Sequence, residues 1–208
     1  MPQRPSMLNE TKKASPLAVF CGVLITLIVL ILTLFAVFNV WVTRNCFVVE
    51  VSGTSMLNTV EDGDLLYVKK NTAPQRGDIV IISVKEYRDN EEFDFTGEFI
   101  IKRLIATAGD TVRCQDGVVS VKYANEGEFT VLTEPYIRGK TPDLKEEIFV
   151  EEGQIFFLGD NREVSYDSTE IGCLKASDIV GVVPEWSLKI RGFTAFWEGM
   201  RSFVTVNQ

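Results

Sequence analysis

The chain has no histidine anywhere in its 208 residues. Without imidazole there can be no Ser-His or Cys-His pair, no histidine metal ligand, and no side chain whose ordinary pKa lies near neutrality. Cysteine is scarce as well. Cys21, Cys46, Cys114 and Cys173 include no close pair of the kind a structural zinc site uses, so neither a metal nor another cofactor is expected. A bridge between Cys114 and Cys173 is one reading of the thiols, and small buried hydrophobes is the other. Positive charge is in deficit, with 21 lysines and arginines against 29 aspartates and glutamates, a net charge of −8. Nucleic acid is therefore not an expected partner, because phosphate binding needs clustered cations, and the acidic residues fit a solvated outer surface. No internal repeat and no long low-complexity linker interrupts the chain.

Charge is missing altogether from Pro16 to Val42. A helix of that length, at about 1.5 Å per residue, would be roughly 40 Å long against a hydrocarbon core of about 30 Å, long enough to span with some tilt. Arg4, Lys12 and Lys13 precede the run and offset Glu10, so the positive-inside rule places the N-terminus in the cytoplasm and the domain after the span outside. A cleavable signal peptide has a shorter apolar core and a small-x-small cleavage pattern, whereas Phe38 to Asn45 is bulky and contains Arg44. An uncleaved anchor in the lipid bilayer is expected. The layout is a cytoplasmic tail over 1–15, a transmembrane anchor over 16–42, an extracytoplasmic domain over 43–185 and a C-terminal segment over 186–208.

Beyond the anchor the pattern is short β-branched and aromatic runs separated by turn signals. Strands are expected at Phe47 to Val51, Leu65 to Val68, Ile79 to Val84, Phe99 to Ile105, Val118 to Val121, Phe129 to Leu132, Ile148 to Val150, Ile155 to Leu158 and Ile179 to Val183. Glu61-Asp62-Gly63-Asp64, Gln75-Arg76-Gly77-Asp78, Ala108-Gly109-Asp110 and Gln115-Asp116-Gly117 punctuate them. The fold class is all-β, mainly antiparallel, with one N-terminal transmembrane helix. Asn125 to Glu128 and Gly139 to Asp143 are expected as exposed loops. In the C-terminal segment Phe193, Phe196, Trp197 and Phe203 mix with Lys189, Arg191 and Arg201. The charges exclude a second span, leaving a membrane-surface segment or packing against the chain's own domain.

Ser55, in Val51-Ser52-Gly53-Thr54-Ser55-Met56, is the candidate nucleophile. With no histidine available its proton needs another acceptor, and a lysine with a depressed pKa is the common side chain that can serve near neutral pH. Lys102 stands inside the apolar run Glu98 to Ala106, next to Arg103. Read with period 2, it shares a strand face with Ile100, Leu104 and Ala106, and burial there disfavours the ammonium form. In this chemistry Ser55 Oγ attacks a carbonyl, neutral Lys102 accepts the proton and returns it to the leaving amine, and the Ser55 backbone N–H stabilises the oxyanion. Only Thr43 to Thr54 separate the apolar run from Ser55, so the nucleophile is expected near the outer bilayer surface.

A third segment, Gly159 to Ser168, packs small hydrogen-bonding residues into one polar loop after Ile155-Phe156-Phe157-Leu158. A turn alone would explain it. Together, in this order and after a single span, Ser55-Met56, Lys102-Arg103 and the Gly159-Asp160-Asn161-Arg162 loop resemble the type I signal peptidases of bacteria, in their compact Gram-positive-like form. The resemblance runs from the span to about Pro184. It implies an all-β catalytic domain of the signal peptidase type over 43–185 and a membrane-bound serine endopeptidase that removes N-terminal signal peptides from translocated preproteins. It also implies a Ser55/Lys102 dyad, with Ser165 orienting the lysine amine and Asp160, Asn161, Arg162, Asp167 and Ser168 bracing the site. Arg103 is expected to pair with a carboxylate of that loop, Asp160 first. Signal peptides of secreted preproteins are the expected partners. An extended peptide beside an exposed strand, with small pockets at alternate positions, would give an Ala-x-Ala-like preference.

The chain departs from the family's pattern at four places. Asn58 stands before Thr59 where proline is usual, Ala106-Thr107-Ala108 replaces a glycine-x-proline, and Thr169 replaces an arginine, so a bracing ion pair is missing. Gly53 stands where Gram-negative members carry a serine that completes the oxyanion hole. Three other readings fit part of the pattern. A self-cleaving repressor peptidase also uses serine and lysine, but it carries a DNA-binding head and not an anchor. The endoplasmic-reticulum signal peptidases have a histidine in place of the lysine. A catalytically impaired, membrane-anchored substrate-binding β module is the alternative from another class, motivated by Asn58 and Ala106 to Ala108.

Overall fold

The computed structural model describes residues 15–87, 93, 95, 97–190 and the backbone of 204–207. The chain divides into two units, 1–44 and 45–208. In the first, helix α1 (Pro16–Asn45) is long and apolar enough to cross a membrane by length and composition, with none of its side chains buried. Ser15 starts it: its Oγ accepts the Ala18 N–H at 3.2 Å, and Pro16 loses nothing in the first turn, where N–H groups lack helical partners. Thr26 and Thr33 donate to the carbonyls of Gly22 and Val29 four residues back. Hydroxyls satisfied in this way need no water, as a hydrocarbon surrounding requires. The helix runs three residues beyond the anchor expected over 16–42, through Thr43, Arg44 and Asn45.

The second unit is built on β1 (Cys46–Ser52), β2 (Leu65–Lys69), β3 (Ile79–Ser83), β4 (Phe99–Thr107), β5 (Thr111–Gln115), β6 (Val118–Lys122), β7 (Thr130–Val131), β8 (Ile148–Phe149), β9 (Gln154–Leu158), β10 (Leu174–Lys175), β11 (Ile179–Val183) and β12 (Val204–Asn207), with short helices α2 (Ser168–Ile171) and α3 (Glu185–Ile190). An eight-stranded sheet runs β10-β9-β4-β12-β1-β2-β11-β3, and β3 pairs back onto β4, so the strands from β4 round to β3 form a closed ring. A four-stranded sheet, β7-β6-β5-β8, makes the second layer. Pairing is antiparallel except at β12, which lies between β1 and β4 and runs parallel to both.

Alternation along the central strands explains why their sequences are apolar throughout. Ile79 and Ile81 of β3 enter one core cluster with Val49, Val51, Met56, Leu66 and Ile101, while Val80 and Ile82 enter another with Ile100, Leu104 and Phe157. β9 is likewise buried on both sides, sending Phe156 and Leu158 to a third cluster beneath β5 and β6. Strands covered on two faces lose the in-out polarity pattern. One face assignment from the sequence needs correcting. Ile100 and Leu104 share a cluster, but β4 is irregular against β9 between Leu104 and Ala106, and Ala106 joins the third cluster. A bulge of one residue reverses the faces beyond it.

All four cysteines are free. Cys114 is buried and Cys173 half-buried at the same third cluster, and burial pushes both thiols up to about 11. The 139–143 loop is exposed except at Thr141, which is buried. The C-terminal segment opens by packing on the domain: Ser187 Oγ accepts the Tyr67 N–H of β2 at 2.7 Å, and the Trp186 and Tyr67 rings lie 5.5 Å apart. Arg191, Phe193, Phe196, Trp197, Arg201 and Phe203 lie outside the described residues.

Candidate active site

Ser55 sits in the turn that follows β1, and its position is set from three directions. Met56 is wholly buried and pins the turn to the first core cluster. On the side of β1, the Gly53 N–H donates to Asp62 Oδ1 at 2.8 Å and the Gly63 N–H to the Val51 carbonyl at 2.8 Å, so the acidic turn after Glu61 closes back on the strand. From the polar loop, Asn161 donates its backbone N–H to the Ser55 carbonyl at 2.8 Å and its side-chain amide to the Thr54 carbonyl at 3.0 Å.

Lys102 approaches from β4. It is 1% exposed, and its Nζ donates to Ser55 Oγ at 2.5 Å. Burial is the main influence on its amine and lowers the pKa from 10.5 to about 8; the Asp167 and Asp160 carboxylates oppose this but do not cancel it. A buried amine that is neutral in mildly alkaline solution, in contact with a hydroxyl, can accept that hydroxyl's proton.

Arg103, next on the strand, is handled in the opposite way. Its Nε and Nη2 form a two-pronged pair with Asp160 at 2.8 and 2.5 Å, Nη1 donates to the Gly77 carbonyl at 2.7 Å, and the guanidinium lies 3.8 Å from the Tyr136 ring centroid. Burial disfavours the charge, yet Asp160 outweighs it and the pKa rises. Gly77 has φ of 91°, a backbone conformation that L side chains rarely adopt, in the turn that presents this carbonyl. Asp160 also accepts the Thr59 hydroxyl, which ties the segment after Ser55 to the same carboxylate.

Asp167 is engaged differently. One oxygen accepts the Gly159 N–H at 2.9 Å; the other accepts the Thr169 N–H at 3.1 Å and its hydroxyl at 2.9 Å, capping α2. Thr169, the departure from the usual arginine, thus supplies Asp167 with a hydrogen bond in place of an ion pair. Ser168 Oγ accepts the Phe157 N–H at 3.0 Å. Arg162 is buried, donating to the Gly159 carbonyl at 2.9 Å and to Glu134 and Thr141. That contact draws Thr141 inward.

Ser165 is the exception. Its hydroxyl is buried and has no hydrogen-bond partner among the described residues, so the expected bond to Lys102 is not formed. Its place is nonetheless within the cluster. A Cβ added at Gly159 would fall 2.2 Å from Ser165 Oγ and 2.6 Å from the Ser55 carbonyl. The backbone at Gly159 therefore separates the two serines at a distance that admits no side chain.

The structure thus brings Ser55, Lys102, Arg103, Asp160, Asp167 and Ser165 into one buried locus. Glu134, Tyr136 and Thr141 belong to it too and were not anticipated; Glu134-Pro135-Tyr136 lacks the period or turn chemistry that would have drawn attention. Among the described residues, no group of three or more cysteine, aspartate or glutamate side chains is placed to hold a metal ion.

In this closed β domain a buried serine hydroxyl thus meets a buried lysine amine. Residues 23–186 match the model of the signal peptidase family, peptidase S26, and the chain belongs to that family. It is 37% identical over 131 residues to the probable signal peptidase I-1 of Synechocystis, covering 61% of this chain and 63% of that one. It is 34% identical over 138 residues to the chloroplast thylakoidal processing peptidase 1 of Arabidopsis thaliana, covering 64% and 39%. Signal peptidase I of Streptococcus pneumoniae is 29% identical over 195 residues, covering 74% of this chain and 87% of its own. The chain spans less than two thirds of the length of the first two of these relatives.

Proposed function

We propose that this protein is a membrane-anchored serine endopeptidase that removes N-terminal signal peptides from preproteins after translocation, with Ser55 as nucleophile and Lys102 as general base. The observation that carries the reading is the 2.5 Å contact between Lys102 Nζ and Ser55 Oγ in a pocket that lowers the lysine to about 8, in a chain without histidine. Ser55 Oγ attacks the scissile carbonyl as its proton passes to Lys102 Nζ. Lys102 then gives that proton to the leaving amine, and a water deprotonated by the same lysine resolves the acyl-enzyme. The Ser55 N–H stabilises the oxyanion, a contribution of roughly 3 kcal/mol per donor in other enzymes. Gly53 adds no side-chain donor, and its own N–H is engaged with Asp62.

Asp160 and Asp167 act as positioning residues, the first through Arg103 and the second through Gly159. Ser165 orients the lysine amine once substrate is bound, its unpartnered hydroxyl being the group free to do so. Apo hydrogen bonds in active sites commonly tighten only in the complex.

The family membership supports signal peptides as substrates, and the apolar helix α1 supports membrane attachment. Arg4, Lys12 and Lys13 orient the N-terminus to the cytoplasm and the catalytic unit to the far side, where translocated signal peptides expose their cleavage sites. The test is incubation of the purified full-length protein in detergent with a secretory preprotein carrying an Ala-x-Ala site, scored by mass spectrometry for a product with a new N-terminus. Binding without cleavage would favour the impaired substrate-binding module instead.

A further inference from the structure

The ring of strands has one anomalous member. Without β12, the antiparallel series β1-β2-β11-β3-β4 would stop short of closure, leaving the free edge of β1 facing the N-terminal half of β4. Those two edges are the ones that carry the catalytic pair: β1 ends at Ser52, three residues before Ser55, and β4 holds Lys102 two residues after Ile100. β12 fills this slot. Val204, Thr205, Val206 and Asn207 pair with Val49, Glu50, Val51 and Ser52, and Asn207 also pairs with Ile100.

Its direction matters. Being parallel to β1, β12 runs toward Ser55, with Asn207 at the end nearest the catalytic pair. A peptide cut by this enzyme is recognised through residues that precede the scissile bond, so its recognised segment must enter with that same polarity, as an added strand whose following residue reaches Ser55. The polypeptide in the slot thus has the course a substrate needs, although it comes from the enzyme's own C-terminal segment.

We propose that Val204–Asn207 is an internal competitor for the peptide-binding slot, and that a preprotein must displace it before being cut. This rests on the peptidase reading above. Displacement costs the enzyme a parallel ladder and returns one of the same kind, so the exchange is balanced enough to be reversible. The occupied fraction raises the apparent KM by the reciprocal of the free fraction and leaves kcat unchanged.

The test uses the full-length protein in detergent with a preprotein carrying an Ala-x-Ala site. Val206→Pro removes a ladder donor from a strand that is interior to the ring, where proline is not accommodated. Its KM should fall by roughly threefold or more with kcat retained. An unchanged or higher KM would overturn the proposal, because a strand that only completes the fold would weaken processing when lost. A second variant needs no displacement. Glu50 is exposed and is the register partner of Thr205, and adjacent strands lie about 5 Å apart, within disulfide reach, so Glu50→Cys with Thr205→Cys should form a bridge on oxidation. Peptide mapping should find that bridge, and processing should fall about tenfold or more and recover with reductant. Failure of the bridge to form, or full activity with it formed, would overturn the proposal. A parent protein that cuts no preprotein would sink the peptidase reading itself, a result distinct from an active parent whose variants do not differ from it.

Discussion

Lys102 and Arg103 are neighbours on one buried strand and are driven in opposite directions: burial lowers the amine to about 8, while Asp160 holds the guanidinium charged. The difference lies in partners. Arg103 meets a carboxylate with matching fork geometry, whereas Lys102 meets a hydroxyl at hydrogen-bond distance and feels Asp160 and Asp167 through space. A strand that puts one cation to each side can thus hold one in structural use and leave the other chemically reactive.

Ser55→Ala and Lys102→Met should each reduce preprotein cleavage by about 10^4-fold or more, since members of such a unit fail together. Circular dichroism should show both variants folded. A Lys102→Met enzyme with near-normal turnover would reassign the base.

The dependence on pH follows from the direction of the lysine shift. kcat/KM should rise with pH through about 8 and be small well below it, where Lys102 is protonated and cannot accept the serine proton. Stability carries the same signature. Because the native pKa lies below the unfolded value, Lys102 costs stability in full below about 8, and the cost is relieved as pH rises from there to 10.5. The full cost is roughly 3 kcal/mol at most. Denaturant melts of the parent and of Lys102→Met should therefore converge over that window, and a constant difference would argue against a buried, neutral lysine.

Ser165→Ala should slow processing by less than loss of Lys102 does, because orientation is lost while the base remains. It should not lower Tm. The hydroxyl has no partner to lose among the described residues, and an unsatisfied buried polar group costs about 1–3 kcal/mol. Slower turnover with equal or raised Tm would mark a group kept for activity; a drop in Tm with unchanged kcat would mark an ordinary loop residue.

Gly159→Ala should be severe for its size. The added methyl would meet Ser165 and the Ser55 carbonyl at 2.2 and 2.6 Å, and the second of these is backbone that cannot swing away. Misplacing a nucleophile by about 1 Å costs on the order of 10^2-fold, so kcat should fall by at least that much. Normal kinetics would show the loop to be more pliant than its packing implies.

How far the site could be read in advance depended on how local its signals were. Ser55 and Lys102 stood out because the chain has no histidine, a fact about composition that no fold is needed to see. The strands over 65–68, 79–84 and 155–158 were visible as short apolar runs between turn residues, since turn chemistry and β-branched side chains act within a few residues. β5 escaped because Thr111-Val112-Arg113-Cys114-Gln115 mixes polar and apolar residues beside two turns, and β10, α2 and α3 are too short to show a period.

Other features depended on residues far apart in the chain. That Asp160 would meet Arg103 was anticipated only through resemblance, and the joining of Thr59 to the same carboxylate was not anticipated at all, because hydrogen-bonding partners 57 and 101 residues apart leave no local trace. The bulge that takes Ala106 off the Lys102 face is a property of pairing with β9, not of the strand itself. β12 is the furthest case, since Val-Thr-Val-Asn is an unremarkable strand former whose place beside Val49 to Ser52 exists only once the ring has left a gap for it. Composition and periodicity determined the chemistry available to this protein and most of its strands; the closure of the sheet decided which groups meet and what occupies the edge beside Ser55, because strand pairing and burial are settled between segments and not within them.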